Sequence, residues 1–288
     1  MTLEGIRRHR IPRGGSVATT LLRTAVWAAV AFNLFLLAWV VLTSFKTTRE
    51  VFDHPWAFPH HLSFGNFGTA WNVGGFGPAA VHSVLVSFAT AFASVFIAAP
   101  AAYAISRPGS RAGRTLSLFF ALGIGVPVQV IVLPIFLMLA RANLTDSLTG
   151  LTLAYVGMAM PFTVFLLTAF FSSLPTELEE AAALDGAGPL RTYWQIMLPV
   201  ARPGLVTAFI LQLIGAWNET MLALVALVDP GKQTLPLALV GFIQQQQHNG
   251  TNWGGMFAGI CVVVLPMVAL FALVGRRITE GLTVGMGK

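Results

Sequence analysis

Six stretches of this sequence run for the thickness of a bilayer with one acidic residue and one histidine, His82, among them and no lysine or arginine. They cover residues 24–45, 78–106, 115–140, 147–176, 203–228 and about 255–275, and the acidic residue is Glu219 in the fifth. A hydrocarbon core of about 30 Å takes about 20 apolar residues as helix, so each stretch can cross once. The chain therefore reads as an all-α polytopic membrane protein with transmembrane helices at about 24–45, 79–105, 115–140, 149–172, 203–228 and 255–275. Pro100, Pro127, Pro134, Pro161 and Pro266 fall inside the stretches, which membrane helices tolerate where neighbours satisfy the freed backbone. With 56% hydrophobic and 10% charged residues, against about 25% charged in soluble domains, the composition excludes a soluble fold. It also excludes disorder, which needs the opposite balance. One cysteine, Cys261, allows no intrachain disulfide and no cysteine metal site.

The net charge of +6 raises nucleic acid as a partner, and its distribution answers. Six spans put both termini on one side. That side holds Arg7, Arg8, Arg10, Arg13, Arg23, Arg107, Arg111, Arg114, Arg191, Arg202, Arg276, Arg277 and Lys288. The other side holds Lys46, Arg49, Arg141 and Lys232, which completes the 17 Lys and Arg. An excess of this kind marks the cytoplasmic side. The basic residues are topology signals, with no nucleic acid implied and both termini cytoplasmic. The N-terminus has the charge pattern of a signal peptide, but its apolar run exceeds the 7–15 residues of an h-region and no A-x-A cleavage site follows it. It reads as a retained span preceded by a short segment, 1–23, with the transmembrane domain over 24–288.

Three connections are long. Residues 46–77 and 229–254 are external, the first rich in Pro, Gly, His and aromatic residues and expected to lie partly along the membrane surface. Residues 174–202 are cytoplasmic and carry the most organised local signals. Thr176, Glu177, Leu178 and Glu179 fit a capping box, with three glutamates placed to complement the helix dipole. Ala181, Ala182, Ala183 and Leu184 propagate the helix, and Gly186 or Gly188 supplies a positive-φ stop. Pro189 opens a second helix, which Pro199 limits. An interfacial loop on lipid is the plain alternative.

The same residues spell a longer pattern. Glu180-Ala181-Ala182, three residues, Gly186, nine residues, then Ile196-x-Leu198-Pro199 resembles the E-A-A-x3-G-x9-I-x-L-P loop of membrane subunits in binding-protein-dependent ABC importers. Asp185-Gly186-Ala187 matches the variant common in sugar importers. Weaker likeness to the shorter, six-helix permease subunit of the maltose type runs through Thr43 to Thr47, Ala102 to Arg107, Trp217-Asn218-Glu219 and Thr234-Leu235-Pro236. Two departures stand out: His82-Ser83 replaces an Asn-Ser pair, and Arg276-Arg277-Ile278-Thr279-Glu280 replaces a more aromatic tail.

The resemblance implies the type I importer permease fold, and import of a carbohydrate of di- or oligosaccharide size. It implies four kinds of partner: a homologous second permease, two copies of an ATPase subunit, an extracytoplasmic sugar-binding protein and membrane lipid. No G-x-x-x-x-G-K-[ST] loop occurs in the chain, so ATP and magnesium belong to the partner ATPase. No cofactor, metal site or catalytic residue is expected here, and the chain is not expected to be an enzyme. Glu180, Ala181, Ala182, Asp185, Gly186, Ile196, Leu198 and Pro199 are the implied coupling residues. The plain reading of Glu180 is helix capping and solubility. Gln244, Gln245, Gln246, Gln247, His248 and Asn249 are implied contacts to the binding protein, or a solvated loop.

Within the bilayer an acidic side chain costs about 2.5–3.5 kcal/mol on insertion scales, so Glu219 faces a bundle interior or an aqueous cavity. With Gln212, Trp217 and Asn218 it forms a candidate substrate pathway, since amides and an aromatic ring suit a sugar. A polar clamp between helices is the equal alternative. Gln129 and Asn33 read as helix–helix bonds, and His82 as a histidine bonded in place. An ion-coupled secondary transporter using Glu219 is the rival function, disfavoured because no internal repeat is visible. An intramembrane enzyme would need a matched nucleophile and base, which the spans do not offer.

Overall fold

The computed structural model describes residues 16–107 and 111–286, and these form helices with no strand among them. Four helices are long and apolar enough to cross a membrane whole. They lie within α1 (Ser16–Thr43), α4 (Phe76–Ser106), α7 (Leu148–Ser173) and α14 (Trp253–Met286). The third expected span is not one rod. It breaks into α5 (Arg111–Ile124) and α6 (Val128–Arg141), bent by 103°. Pro127 is the cause: it pushes the residue before it out of the α region, and Gly125 and Val126 close tight turns onto Leu122 and Gly123. The fifth span also differs. α11 (Arg202–Asn218) ends at Glu219, the short α12 (Met221–Ala226) follows, and α11 is bent by 72° from the segment Pro189–Val200 before it. The count reaches six only if each bent pair is one span. Pro100, Pro134, Pro161 and Pro266 lie inside helices as expected. Of the basic residues used for orientation, Arg7, Arg8, Arg10, Arg13 and Lys288 lie outside the described residues.

The centre of the molecule is α4. Its buried face is made of small residues, Ser83, Ser87, Thr90, Ala91, Ser94, Ala98 and Ala102, while Phe88, Phe92 and Phe96 point outward. Small residues let α7 and α11 approach closely, which is how membrane helices gain packing without a hydrophobic drive. Ala98, Ala102, Leu167, Phe171, Met197 and Ala208 form the core at one end. Val86, Leu151, Tyr155, Leu222 and Leu237 form it at the other. A Cβ on Gly204 would meet the Phe170 ring at 2.5 Å, so α11 and α7 touch through that glycine.

Helix α1 is exposed over most of its length. Asn33 bonds to its own helix, Nδ2 to the Ala29 carbonyl at 2.8 Å, where a bond between helices was expected. The segment after it, expected to be external, is folded. α2 (Thr48–Asp53) carries a complete capping box between Thr47 and Glu50, and α3 (Gly65–Val73) follows. Lys46, counted among the charges on the side opposite the termini, is 2% exposed and donates to the carbonyls of His54 and Pro55 at 3.0 Å. Burial lowers its pKa. Asn66 holds the same corner by donating to the carbonyls of Ser44 and Lys46.

Asp146 ties the α6–α7 loop to the segment after α12. Its carboxylate accepts from the amides of Val228 and Asp229 at 3.0 and 2.9 Å and pairs with Lys232 at 2.9 Å. The backbone amide of Asp229 is the largest cause of its lowered pKa, followed by Lys232. A carboxylate with a depressed folded pKa contributes stability above its unfolded value of about 3.9 and loses it as pH falls through the folded one. Asp146→Asn is therefore expected to lower the melting temperature in detergent at pH 7. The gap to wild type should close on acidification below about pH 4; a gap unchanged by pH would assign the effect to shape alone.

Candidate functional site

The segment 174–202 folds as two short helices meeting at a sharp turn. α8 (Glu177–Leu184) ends in a Schellman arrangement: Gly186 has φ +76°, its amide bonds the Ala183 carbonyl at 3.0 Å, and the Ala187 amide bonds that of Ala182 at 2.9 Å. Only glycine takes this conformation without strain. Gly188 and Pro189 then open α9 (Pro189–Thr192), which runs through a π turn (Tyr193–Met197) into α10 (Leu198–Val200). The Leu198 amide bonds back to the Tyr193 carbonyl, five residues away. Pro199 follows at once and does not stop the chain as expected. The wide turn sits just ahead of the proline ring, and the helix ends only at Ala201, where it bends into α11.

The expected capping box at Thr176 does not form. Thr176 has helical dihedrals and makes no side-chain cap. The Glu179 carboxylate goes elsewhere: it accepts from the Tyr103 hydroxyl at 2.5 Å and pairs with Arg107 Nε at 2.8 Å. Charge-assisted partners are about twice as strong as neutral ones, while the amides of an exposed helix start can bond water.

The motif residues divide by face. Ala182 is buried, and Ile196, Leu198 and Pro199 are half-buried against the core. Glu180, Ala181, Asp185 and Gly186 are exposed, beside Leu184 at 90%, Leu190 at 74% and Trp194 at 50% exposure. Large apolar side chains thus stand on the outside of a short, glutamate-rich helix pair.

A second constellation lies where α4, α7 and α11 meet. A cavity of about 180 Å³ is lined by Thr90, Tyr155, Gln212 and Glu219, among apolar neighbours. Glu219 explains the helix break: its Oε1 accepts from the Leu222 amide at 3.0 Å and so caps α12. Its carbonyl accepts from the Tyr155 hydroxyl at 3.1 Å. Glu219 Oε2 and Thr90 Oγ1 are buried with no hydrogen-bond partner among the described residues. Gln212 donates to Thr163 Oγ1 at 2.8 Å. Two of the four candidate pathway residues, Gln212 and Glu219, thus meet in one cavity. Trp217 instead packs among Phe76, Phe242 and Val263, donating to the Val263 carbonyl, and Asn218 is exposed and bonds its own helix. Another cavity, of about 630 Å³ in the crook of α5 and α6, has an apolar lining from Gly123 to Phe162.

On the opposite surface, Gln244 to Asn249 end helix α13 (Leu235–Asn249). Gln244, Gln245, Gln247 and His248 are exposed, while Gln246 is buried and accepts from the Asn252 amide at 3.4 Å. His82 is held as expected, Nδ1 donating to the Gln233 carbonyl at 3.1 Å, and Ser83 Oγ accepts from the Leu235 amide at 2.7 Å. The pair therefore tethers the start of α13. Gln129 is exposed.

Sequence reasoning gave no site role to Tyr103, Arg107, Thr90 and Tyr155, and read Glu179 as half of a capping box. The first two are four residues apart on one helix, the spacing that puts side chains together. Thr90 belongs to the hydroxyl row Ser83, Ser87, Thr90, Ser94, whose helical period was legible.

Residues 92–279 match the family model described as binding-protein-dependent transport system inner membrane component. The chain is 32% identical over 260 residues to the diacetylchitobiose uptake system permease protein NgcG of Streptomyces coelicolor, covering 90% of this chain and 85% of that one. It is also 32% identical to the trehalose transport system permease protein SugB of Mycobacterium tuberculosis, covering 92% and 98%. Among solved structures, a bacterial ABC transporter involved in the import of the acidic polysaccharide alginate superposes with TM-score 0.72 at 22% identity. It covers 91% of this chain and 98% of that one, so the fold is shared.

The two residues of the cavity with an unpartnered oxygen, Thr90 and Glu219, are separable by substitution. Thr90→Val removes a hydroxyl that bonds nothing and is expected to leave the melting temperature unchanged or higher. Glu219→Leu strips the cap from α12 and should cost about 1–3 kcal/mol, read by thermal unfolding in detergent. Equal losses would mean that Thr90 has a partner in the working protein.

Proposed function

The chain belongs to the family of binding-protein-dependent transport system inner membrane components, and on that premise we propose that it is a permease subunit of an ATP-driven importer of carbohydrates. In this reading it is not itself an enzyme. It pairs with a homologous permease in the cytoplasmic membrane, both termini cytoplasmic, and two copies of an ATPase subunit bind ATP and magnesium. An extracytoplasmic binding protein delivers the sugar, a di- or oligosaccharide, and the exposed amides near Gln244 to His248 offer it a polar surface.

The observation that carries the reading is the exposed face of α8 to α10. Leu184, Leu190 and Trp194 stand out beside Glu180, an arrangement suited to a cleft that takes apolar anchors with a polar rim. The fixed turn at Gly186 presents both helices as one rigid element. When the ATPase subunits close, this element moves and the spans re-orient. The sugar passes the cavity of Gln212, Tyr155, Thr90 and Glu219, whose unpartnered oxygens accept from hydroxyl groups.

Purification from native membrane in mild detergent is expected to recover a second permease and a phosphate-loop ATPase with this chain. Glu180→Ala should weaken that recovery or the transport-linked ATPase rate by about 5- to 150-fold, the usual range of inter-site coupling. Gly186→Ala has room for its methyl group but not the backbone, and should cost about 1–2 kcal/mol together with the same coupling. A lone chain that moves solute under an ion gradient without ATP would overturn the reading and make Glu219 the coupling carboxylate.

A further inference from the structure

Helix α8 packs mainly on the π-turned segment beside it. Among the described residues, its side-chain hydrogen bonds and ion pairs leave it at one place, Glu179. Both of that carboxylate's partners are on α4. Tyr103 lies in the last turn of α4, and Arg107 is its C-cap residue. The Arg107 guanidinium stands 5.0 Å from the centre of the Tyr103 ring, and that ring packs on Tyr193 at 5.2 Å and Phe171 at 5.6 Å. Arg107 and Glu179 side chains are 20% and 24% exposed, so the pair is mostly withdrawn from water and weakly screened. Removing one member leaves the other charge without its partner.

We propose that Glu179, Tyr103 and Arg107 form a positioning latch that passes motion of the cytoplasmic helix α8 directly into the spanning helix α4. It rests on the coupling role proposed for α8 and adds a route to it. The polypeptide itself leads from α8 into α11; the latch leads into α4 instead, in parallel. Its output is visible in the fold. Thr90 is 13 residues from Tyr103 on the same helix, or about 20 Å at 1.5 Å per residue, and it forms one wall of the polar cavity. Of its other polar wall residues, Gln212 and Glu219 belong to or follow α11, and Tyr155 belongs to α7. With the latch engaged, both walls answer to the same cytoplasmic element. With it released, α11 moves while α4 lags.

The test uses the assembled importer, reconstituted in proteoliposomes with its binding protein. Glu179→Gln keeps an acceptor for the Tyr103 hydroxyl and removes the charge facing Arg107; Arg107→Gln removes the other charge. Each is expected to retain a full complement of co-purifying ATPase while the substrate imported per ATP hydrolysed falls by about 5- to 150-fold. The double variant should be no worse than either single, because both break one interaction, and the exchange Glu179→Arg with Arg107→Glu should recover part of the ratio. Additive losses, or wild-type ratios in both singles, would overturn the latch. Loss of ATPase from the single variants would also overturn it, by placing Glu179 in the docking surface. Absence of ATPase from the wild-type preparation would instead sink the importer reading on which the latch rests.

Discussion

A backbone amide or carbonyl inside hydrocarbon has no water to turn to, so a membrane chain can leave the helical path only where something else supplies the bond. Every break here obeys that constraint. At Glu219 the side chain caps the next helix while Tyr155 bonds the carbonyl. Between α5 and α6 the proline removes one donor, and two tight turns satisfy those around it. Before Pro199 a π turn re-routes the Leu198 amide to the Tyr193 carbonyl. The residues that look most out of place in an apolar sequence are therefore those that permit its shape.

The same reasoning explains what could be read from residues alone. The apolar stretches, the turn at Gly186 and the start of a helix at Pro189 follow from local rules, because each depends on a residue's own conformational limits. The break at Pro127 did not, since a proline in a span can either kink a continuous helix or end it. Pro134 and Pro161 remain inside helices, whereas Pro127 follows two glycines, Gly123 and Gly125, within four residues. Glu179 was misjudged for another reason: a capping box competes with partners distant in sequence, and Tyr103 lies 76 residues away. Lys46 fits the same pattern, since its charge is absorbed by carbonyls that fold back over it.

Among the candidate pathway residues, neighbours in sequence part company in space. Gln212 and Glu219 share a cavity, whereas Trp217 and Asn218 between them face elsewhere. Seven residues are about two helical turns, which brings 212 and 219 to one side; 217 and 218 fall on others. A helical wheel through 212 would have separated the four. The contribution of Thr90 and Tyr155 needed the packing of three helices, which no single segment encodes.

The π turn has a consequence for how this loop can vary. It holds one more residue than an α turn would, so it shifts the angular phase of whatever follows by about 100°. Leu190 and Trp194 face outward before or within it, and Met197 and Leu198 face the core at its end. Deleting one residue there would reset the phase and turn the outer face inward, although no side chain had been changed. Length, more than composition, is what this stretch has to keep.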